Sequence, residues 1–324
     1  MLRSTLKFKC IYRAKSVPIL FNSNRLLTSN ASELFQTKLK QLKDESVSEA
    51  ENSLELIFAH VLNKKLLREV RGENLDKIQL SESQLGEIEE KVLLKLSHMP
   101  VQFILGEWEF RDLTLKMQVP VFIPRPETEE MVELITQQVD DRENCDILEV
   151  GVGSGAISLA LLNELPNVKE ITAIDQSKAA CKLAQKNADN LKFSDRIKIF
   201  EHRLESDALP LDIVPEGQKF DIIVSNPPYV PTKDVLKVEP EIYLYENIRA
   251  LDGGVDGLDV IKILLELAAK YLKKEGHLWL EVDSRHPEII KKIVENNQEK
   301  WQLNFVACYK DIFKKDRFVE IQKI

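Results

Sequence analysis

One stretch of this 324-residue chain strongly limits the folds open to it: an apolar run, a glycine-rich turn and a second apolar run. Residues 147–150 predict a buried strand, and residues 156–162 predict the helix that follows it. Between them, Gly151, Gly153 and Gly155 let the backbone reach positive φ and approach a ligand closely. A strand, a glycine turn and a helix in this order indicate a ligand site in a doubly wound α/β sheet.

Strand-like and helix-like stretches alternate from residue 145 to the end of the chain. Further strands are predicted at 170–175, 196–201, 220–225 and 277–283, and helices at 177–190, 258–273 and 286–297. Residues 230–257 show no regular pattern, and two strand-like stretches, 303–309 and 317–322, close the chain. This alternation predicts an α/β fold around a mostly parallel sheet with right-handed crossovers.

The preceding part of the chain has the apolar spacing of helices, with polar linkers near residues 70–80. Two sets of residues recur at helical spacing: Ala50, Leu54, Ile57, Phe58 and Val61, and then Leu85, Ile88, Val92 and Leu96. Ser81 and Gln84 are spaced as a capping box, and 107–112 with 115–119 alternate as a short hairpin. We therefore expect a helical domain at 31–100, a β-hairpin linker at 101–125 and a larger α/β domain at 126–324.

Four consecutive residues, Asn226, Pro227, Pro228 and Tyr229, directly follow the strand predicted at 220–225. The residue before a proline is held extended, and neither proline has an N–H, so the loop presents carbonyl groups. Asn226 adds an amide that donates and accepts, and Tyr229 adds a flat face for stacking. Such a loop can hold a planar –NH₂ group by its two hydrogens, although an Asn-Pro pair also simply ends many strands.

An acidic residue, Asp175, ends the second predicted strand about 20 residues after the glycine turn. This spacing suits hydrogen bonds to ribose hydroxyls, and the alternatives are a solvated strand end or a helix N-cap. The ligand could be a nicotinamide cofactor or the methyl donor S-adenosylmethionine. Three features favour the methyl donor: Glu149 before the glycines, the Asn-Pro-Pro-Tyr loop after the fourth strand, and the two closing strands.

The charge of the chain is unevenly distributed. The first 32 residues carry six basic side chains and no acidic one, the composition of a mitochondrial transit peptide or of a basic tail. We expect a transit peptide over 1–30 and a location in the mitochondrial matrix. The 45 basic side chains less these six leave 39 against 53 acidic ones. This acidic balance opposes unaided binding to nucleic acid and permits a basic protein partner.

Neither a membrane span nor a metal site is expected. No apolar run approaches the roughly 18 residues that a spanning helix needs. The cysteines are scattered without metal-binding spacing or a disulfide framework, which fits a reducing compartment: Cys10, Cys145, Cys181 and Cys308.

Six stretches of the sequence match the motifs of one protein family: residues 99–108, 122–130, 149–155, 226–229, 250–254 and 280–283. The Asn-Pro-Pro-Tyr loop alone occurs in several amino-group methyltransferases, but with Ile-Pro-Arg-Pro-Glu-Thr at 123–128 it is specific to one family. The chain resembles the HemK (PrmC) family of protein-(glutamine-N5) methyltransferases, and within it the animal mitochondrial members. The resemblance extends from about residue 95 to the C-terminus.

The resemblance implies a class I methyltransferase domain, a seven-stranded sheet with an antiparallel last strand, and S-adenosylmethionine as cofactor. It implies that the substrate is the glutamine of a Gly-Gly-Gln motif in a mitochondrial peptide-chain release factor, whose body the helical domain contacts. We expect a monomer in which Asn226, Pro227 and Tyr229 are catalytic and Pro228 completes the substrate site. The residues expected to bind the cofactor are Gly151, Val152, Gly153, Ser154, Gly155, Asp175 and Asn226.

The sequence departs from the family pattern at two places. Arg203 stands where an acidic residue near the adenine is common, so Glu201 or Glu205 replaces it or the contact is lost. Glu246 and Asn247 stand where the family often has a Glu-Pro pair, which affects the shape of the substrate-side loop and not the chemistry. Residues 125 and 127, an arginine and a glutamate, either order a lid over the pocket or take part in a purely structural ion pair.

Two other functions compete with this interpretation. A methyltransferase acting on the N6 of adenine, or on another amino group of nucleic acid, would use the same loop but would need a basic groove. A catalytically idle protein that binds partners through its helical domain would not need the glycine turn, Asp175 or the Asn-Pro-Pro-Tyr loop.

Overall fold

The computed structural model describes residues 29–64, 75–139 and 145–324. Nearly all of the expected transit peptide at 1–30 and about half of the expected polar linker at 70–80 lie outside the described residues. Within these described ranges, no helix combines the length and the apolar character that crossing a bilayer requires.

The N-terminal part is helical. Its helices are α1 (Ala31–Asp44), α2 (Ala50–Val61), α3 (Glu82–Leu96) and α4 (Val101–Leu105), with a 3₁₀ turn at Leu75–Lys77. The capping box is confirmed, because the Ser81 hydroxyl accepts from the N–H of Gln84 and the Gln84 side chain accepts from the N–H of Ser81. Leu54, Ile57 and Phe58 are fully buried, as their helical spacing predicts.

A short antiparallel hairpin connects the helical part to the rest of the molecule. It consists of β1 (Glu107–Phe110) and β2 (Leu113–Lys116), and helix α5 (Pro126–Gln138) follows. The Asn187 side chain accepts from the N–H of Lys116 at 2.8 Å and donates to the carbonyls of Lys116 and Ser154 at 3.1 and 2.9 Å. The hairpin is therefore tied to the glycine turn through one buried amide.

The larger part is a seven-stranded sheet with the strand order β5-β4-β3-β6-β7-β9-β8. The strands are β3 (Cys145–Val150), β4 (Val168–Asp175), β5 (Ile197–Glu201), β6 (Phe220–Ser225), β7 (Leu272–Glu281), β8 (Leu303–Lys310) and β9 (Asp316–Lys323). Neighbours from β5 to β7 are parallel, and β9 is antiparallel to β7 and β8. The predicted α/β fold class, with its antiparallel last strand, is confirmed.

Helices cover both faces of this sheet. They are α6 (Ala156–Glu164), α7 (Lys178–Leu191), α8 (Thr232–Val235), α9 (Pro240–Tyr245), α10 (Asp259–Tyr271), α11 (Pro287–Asn296) and α12 (Gln298–Trp301), with 3₁₀ turns at Ser194–Arg196 and Ile248–Ala250. Adjacent strand residues such as Ile147 and Leu148 belong to separate apolar cores on opposite faces. The strands in the middle of the sheet therefore carry buried apolar side chains on both faces, as a covered parallel sheet requires.

Three segments differ from the prediction, the first being β2, which spans Leu113–Lys116 rather than 115–119. Strand β7 spans Leu272–Glu281 rather than 277–283, because Leu272 already pairs with Phe220 ahead of a register shift. The segment 230–257 contains the short helices α8 and α9, the second of which has Pro240 in its first turn, where proline is favoured. Helix α9 also contacts the helical part, since the buried Lys95 ammonium lies 2.8 Å from the Glu241 carboxylate.

The chain topology creates one natural ligand site. Strands β3 and β6 are neighbours in the sheet. The chain that leaves β3 continues to β4 on one side, whereas the chain that leaves β6 continues to β7 on the other side. In open α/β sheets the crevice outside such a point binds the ligand. The glycine turn follows β3 and the Asn-Pro-Pro-Tyr loop follows β6, so both predicted motifs lie at this crevice.

Candidate active site

A cavity of about 720 Å³ opens at the carboxyl ends of β3 and β6. The glycine turn lines one side and the Asn-Pro-Pro segment lines the other. The two strand ends are joined directly, because the Ser225 hydroxyl donates to the Val150 carbonyl at 2.6 Å. A cavity of this volume is in the range that holds a cofactor-sized ligand.

The glycine turn is fixed to the neighbouring strand by its own backbone. The N–H groups of Gly151 and Val152 donate to the Ile174 carbonyl at 2.8 and 3.1 Å. Gly151 has a φ of +85°, which a residue with a side chain would adopt only with strain. Gly151, Val152, Gly153 and Ser154 line the cavity, whereas Gly155 lies behind them as the N-cap of α6.

Asp175 lies at the end of β4 and faces the cavity. One carboxylate oxygen accepts from the N–H of Gly153 at 3.0 Å, and the other accepts from the N–H of Ser177 at 2.7 Å. Burial raises the pKa of Asp175, and the two backbone N–H donors oppose that rise. The N-cap of α7 is Ser177 rather than Asp175. The carboxylate is thus held rigidly, and its remaining lone pairs are available to a ligand.

Glu149 also lines the cavity. The sequence pattern included this residue but did not predict what it does in the site. Its side chain is 1% exposed and accepts from both the N–H and the hydroxyl of Ser158. Burial raises the pKa of Glu149 to about 8. The carboxyl group therefore titrates close to physiological pH, directly beneath the glycine turn.

The third wall comes from the segment after β5. His202, Arg203, Leu204 and Glu205 all line the cavity. Arg203 and Glu205 form an exposed ion pair with 3.3 Å between Nε and Oε1. Of the two acidic residues considered as replacements at the Arg203 position, Glu205 faces the cavity and Glu201 is not among its described lining residues.

The Asn-Pro-Pro segment contributes Asn226, Pro227 and Pro228 to the cavity wall. The amide nitrogen of Asn226 donates to the hydroxyl oxygen of Thr128 at 3.2 Å. Thr128 lies in the first turn of α5, within the Ile-Pro-Arg-Pro-Glu-Thr stretch, and it also lines the cavity. The sequence placed Thr128 in a motif but gave no sign that it contacts Asn226, since 98 residues separate them.

Tyr229 lies behind the segment, and the described cavity lining does not include it. Its hydroxyl donates to the Glu281 carboxylate at 3.1 Å, and the Thr128 hydroxyl donates to the other Glu281 oxygen at 2.7 Å. Burial raises the pKa of Tyr229 well above its ordinary range, so the hydroxyl keeps its proton at neutral pH. Glu281 is a further residue whose role the sequence did not predict, although it lies in one of the stretches that carry the family resemblance.

The backbone of this loop rests on the segment 251–257. The N–H of Val230 donates to the Leu251 carbonyl, and the N–H of Gly253 donates back to the Val230 carbonyl, both at 2.9 Å. A Cβ at Gly257 would stand 2.3 Å from the Tyr229 carbonyl oxygen. Only glycine therefore allows this segment to support the loop so closely.

Arg125 pairs with Glu246 and not with its neighbour at 127. The Arg125 guanidinium lies 2.7 Å from the Glu246 carboxylate, which also accepts from the N–H of Ile123 at 3.2 Å. Burial raises the pKa of Glu246, and Arg125 opposes that rise. The N–H of Asn247 donates to the Pro120 carbonyl at 2.8 Å. These bonds join the stretch before α5 to the segment after α9.

The cavity suits S-adenosylmethionine, which combines a ribose, an adenine and a positively charged sulfonium. Asp175 offers fixed acceptors for ribose hydroxyls, and its carboxylate suits a cationic ligand. Among the described residues, no cluster of three histidine, cysteine or acidic side chains is placed to hold a metal ion.

Comparison with known proteins identifies the class. A family model described as a methyltransferase domain matches residues 141–323, more than half of the chain. The protein is therefore a methyltransferase of the class I fold, and S-adenosylmethionine is its methyl donor.

Individual relatives identify the family. The chain is 42% identical over 302 residues to the MTRF1L release factor glutamine methyltransferase of Homo sapiens. The matched region covers 91% of this chain and 88% of that protein. It is 35% identical to the release factor glutamine methyltransferase of Fusobacterium nucleatum subsp. nucleatum, and the match covers 90% of this chain and 78% of that protein. It is 33% identical to the release factor glutamine methyltransferase of Lactococcus lactis subsp. lactis, and the match covers 85% of this chain and 96% of that protein. The chain belongs to the release factor glutamine methyltransferase family.

Proposed function

We propose that this enzyme methylates the side-chain amide nitrogen of the glutamine in the Gly-Gly-Gln motif of a mitochondrial peptide-chain release factor. One observation carries the proposal: the Asn226 amide lies at the cavity wall with its nitrogen bonded to Thr128. An acceptor amide has two N–H donors and a delocalised nitrogen lone pair, so an enzyme must hold both hydrogens to aim the nitrogen. The relatives named for release factor glutamine support this acceptor.

The acceptor side of the site is the Asn-Pro-Pro-Tyr loop. The side-chain oxygen of Asn226 and the carbonyl of Pro227 accept the two amide hydrogens, and this aims the nitrogen at the methyl group. Pro228 completes the wall. In this proposal the ring of Tyr229, which lies behind the loop, packs on the amide plane from that side. Holding two reactants in one geometry can supply roughly 7–11 kcal/mol of the barrier reduction.

The donor side of the site is the glycine turn with the strand end of β4. When bound, S-adenosylmethionine supplies a methyl group already activated by the positive sulfonium. Asp175 holds the ribose hydroxyls, Glu205 takes the contact near the adenine, and Asn226 touches both reactants. The methionine part lies against Gly151, Val152, Gly153 and Ser154, and Gly155 supports this turn from behind as the N-cap of α6.

The parts of the chain have separate tasks in this proposal. The helical domain at 31–100 contacts the body of the release factor, the linker at 101–125 joins it to the catalytic domain, and 126–324 carries the reaction. The mature enzyme acts as a monomer in the mitochondrial matrix after loss of residues 1–30. Its acidic balance favours a protein substrate over nucleic acid, and no membrane is involved.

The test combines an acceptor panel with one substitution. The enzyme receives labelled S-adenosylmethionine together with a Gly-Gly-Gln release factor, its Gln→Ala variant, DNA and RNA. We expect label only in the intact factor, at the glutamine side chain by mass spectrometry. Asn226→Ala is expected to lower turnover by about 10²–10³, the effect of removing one preorganised polar group.

Two further variants sharpen the result. Asn226→Asp keeps an acceptor oxygen but adds a charge that attracts the sulfonium in the ground state, so turnover is again expected to fall. Asn297→Ala is the control, because its side chain donates to the Ile293 carbonyl at the end of α11. Comparable label in nucleic acid, or near-normal turnover of Asn226→Ala, would contradict the proposal.

A further inference from the structure

A chain of buried hydrogen bonds lies behind the Asn226 amide. It runs from the Asn226 nitrogen to the Thr128 hydroxyl at 3.2 Å and from that hydroxyl to Glu281 at 2.7 Å. The Tyr229 hydroxyl meets the other Glu281 oxygen at 3.1 Å. Thr128 is 2% exposed and Glu281 is 1% exposed, so the bond between these two side chains is shielded from water. The chain joins α5, β7 and the loop after β6.

The number of available hydrogens fixes the direction of every bond in this chain. An ionised Glu281 has no hydrogen to give and must accept from both hydroxyls. The hydrogen bonds at Glu281, one hydroxyl donor on each oxygen, match this ionised form. Burial raises the pKa of Glu281, and the Thr128 and Tyr229 hydroxyls, with the Arg317 guanidinium on β9, oppose that rise. The single hydroxyl hydrogen of Thr128 is then committed to Glu281. Its oxygen can only accept from Asn226.

We propose that Thr128 and Glu281 are positioning residues that set which end of the Asn226 amide faces the acceptor. This inference rests on the proposed function. Because Thr128 can only accept, the –NH₂ end of Asn226 must turn towards it, and the carbonyl oxygen turns to the opposite side. That oxygen is the atom that receives an acceptor N–H. With the amide reversed, two N–H donors would face each other and the acceptor would be rejected.

The test compares turnover of Thr128→Val and Thr128→Ser on the Gly-Gly-Gln release factor with labelled S-adenosylmethionine. Valine keeps the shape but loses the hydroxyl, so the amide of Asn226 can reverse; we expect turnover to fall about 10- to 100-fold. Serine restores the hydroxyl and is expected to recover turnover to within about threefold of the wild type. Donor affinity measured by calorimetry is expected to stay within about threefold for both variants.

A double-mutant cycle with Asn226→Ala separates positioning from a merely structural role. If Thr128 acts through Asn226, adding Thr128→Val to Asn226→Ala lowers turnover no further. A structural role would instead multiply the two losses. Thr136→Val is the control on the same helix, because the Thr136 hydroxyl donates only to the helix carbonyl of Glu133 and its loss is expected to leave turnover unchanged.

The outcomes are distinguishable. If the wild type labels the factor and Thr128→Val labels it equally fast, or if the losses multiply in the cycle, the positioning role is wrong and the proposed function stands. If the wild type labels no release factor, the proposed function is wrong and the positioning role falls with it. Should Thr128→Val fail to fold, as shown by thermal unfolding, Thr128→Ala removes the same hydroxyl without adding bulk, and the same criteria apply.

Discussion

Gly257 offers a direct test of whether the geometry of the acceptor loop controls the rate. Its φ is +78°, and an added Cβ would stand 2.3 Å from the Tyr229 carbonyl oxygen. Ordinary contact begins near 3.4 Å, so Gly257→Ala must displace that carbonyl by roughly 1 Å. A displacement of that size near reacting atoms can cost about 10² in rate. We therefore expect turnover to fall about 100-fold while donor affinity is retained.

Gly217 supplies the matched control for the backbone strain. Its φ is +82°, and no described heavy atom lies within 4 Å of the carbon that alanine would add. Gly217→Ala should lose roughly 1 kcal/mol of unfolding free energy from the positive φ, measured by denaturant titration. Gly257→Ala should lose more, because its Cβ also overlaps the Tyr229 carbonyl oxygen. Only Gly257→Ala should lose turnover in the labelled-methyl assay. Equal turnover in the two variants would refute the idea that contact with the loop backbone positions the acceptor.

Two further predictions concern the donor side of the site. Asp175→Ala removes an acceptor of charged hydrogen bonds, so calorimetry should show donor binding weakened by roughly 1.5–3 kcal/mol; unchanged affinity in a folded variant would remove Asp175 from the site. Burial raises the pKa of Glu149 from its ordinary value of 4.5 to about 8, so the stability that its protonated form contributes is fully present below about pH 4.5. Relative to Glu149→Gln, the wild type should lose about 1.4 kcal/mol per pH unit as pH rises towards 8, and parallel unfolding curves at pH 5 and 8 would contradict this.

The motifs of the site were predictable from the sequence because each is a local pattern. The glycine turn, Asp175 and the Asn-Pro-Pro-Tyr loop each follow a strand whose apolar run is evident in the sequence. In a parallel sheet the carboxyl ends of such strands meet at one edge, so knowing the fold class brings them together. The roles proposed for these residues remain predictions until the substitutions above are made.

The supporting contacts could not be predicted, because they join segments far apart in the sequence. Thr128 and Glu281 are separated by 153 residues, and Arg125 and Glu246 by 121. No periodicity links such pairs, and their meeting depends on how α5 packs against the sheet. The irregular stretch around Gly257 likewise gave no sign that it lies directly under the acceptor loop.

The arrangement of ionisable groups explains why geometry should dominate catalysis here. Tyr229 keeps its proton at neutral pH and donates a hydrogen bond to one oxygen of Glu281. The other Glu281 oxygen accepts a hydrogen bond from Thr128. Asp175 and Glu149 face the donor and are engaged by backbone and hydroxyl hydrogens. These three carboxyl groups are therefore all engaged in hydrogen bonds, and the mechanism gives none of them the role of a base. None is required before transfer, because the amide proton becomes strongly acidic only once the nitrogen carries the methyl group. The rate then depends on the aim of the acceptor nitrogen, which Gly257→Ala disturbs through the loop backbone and Thr128→Val through the Asn226 side chain.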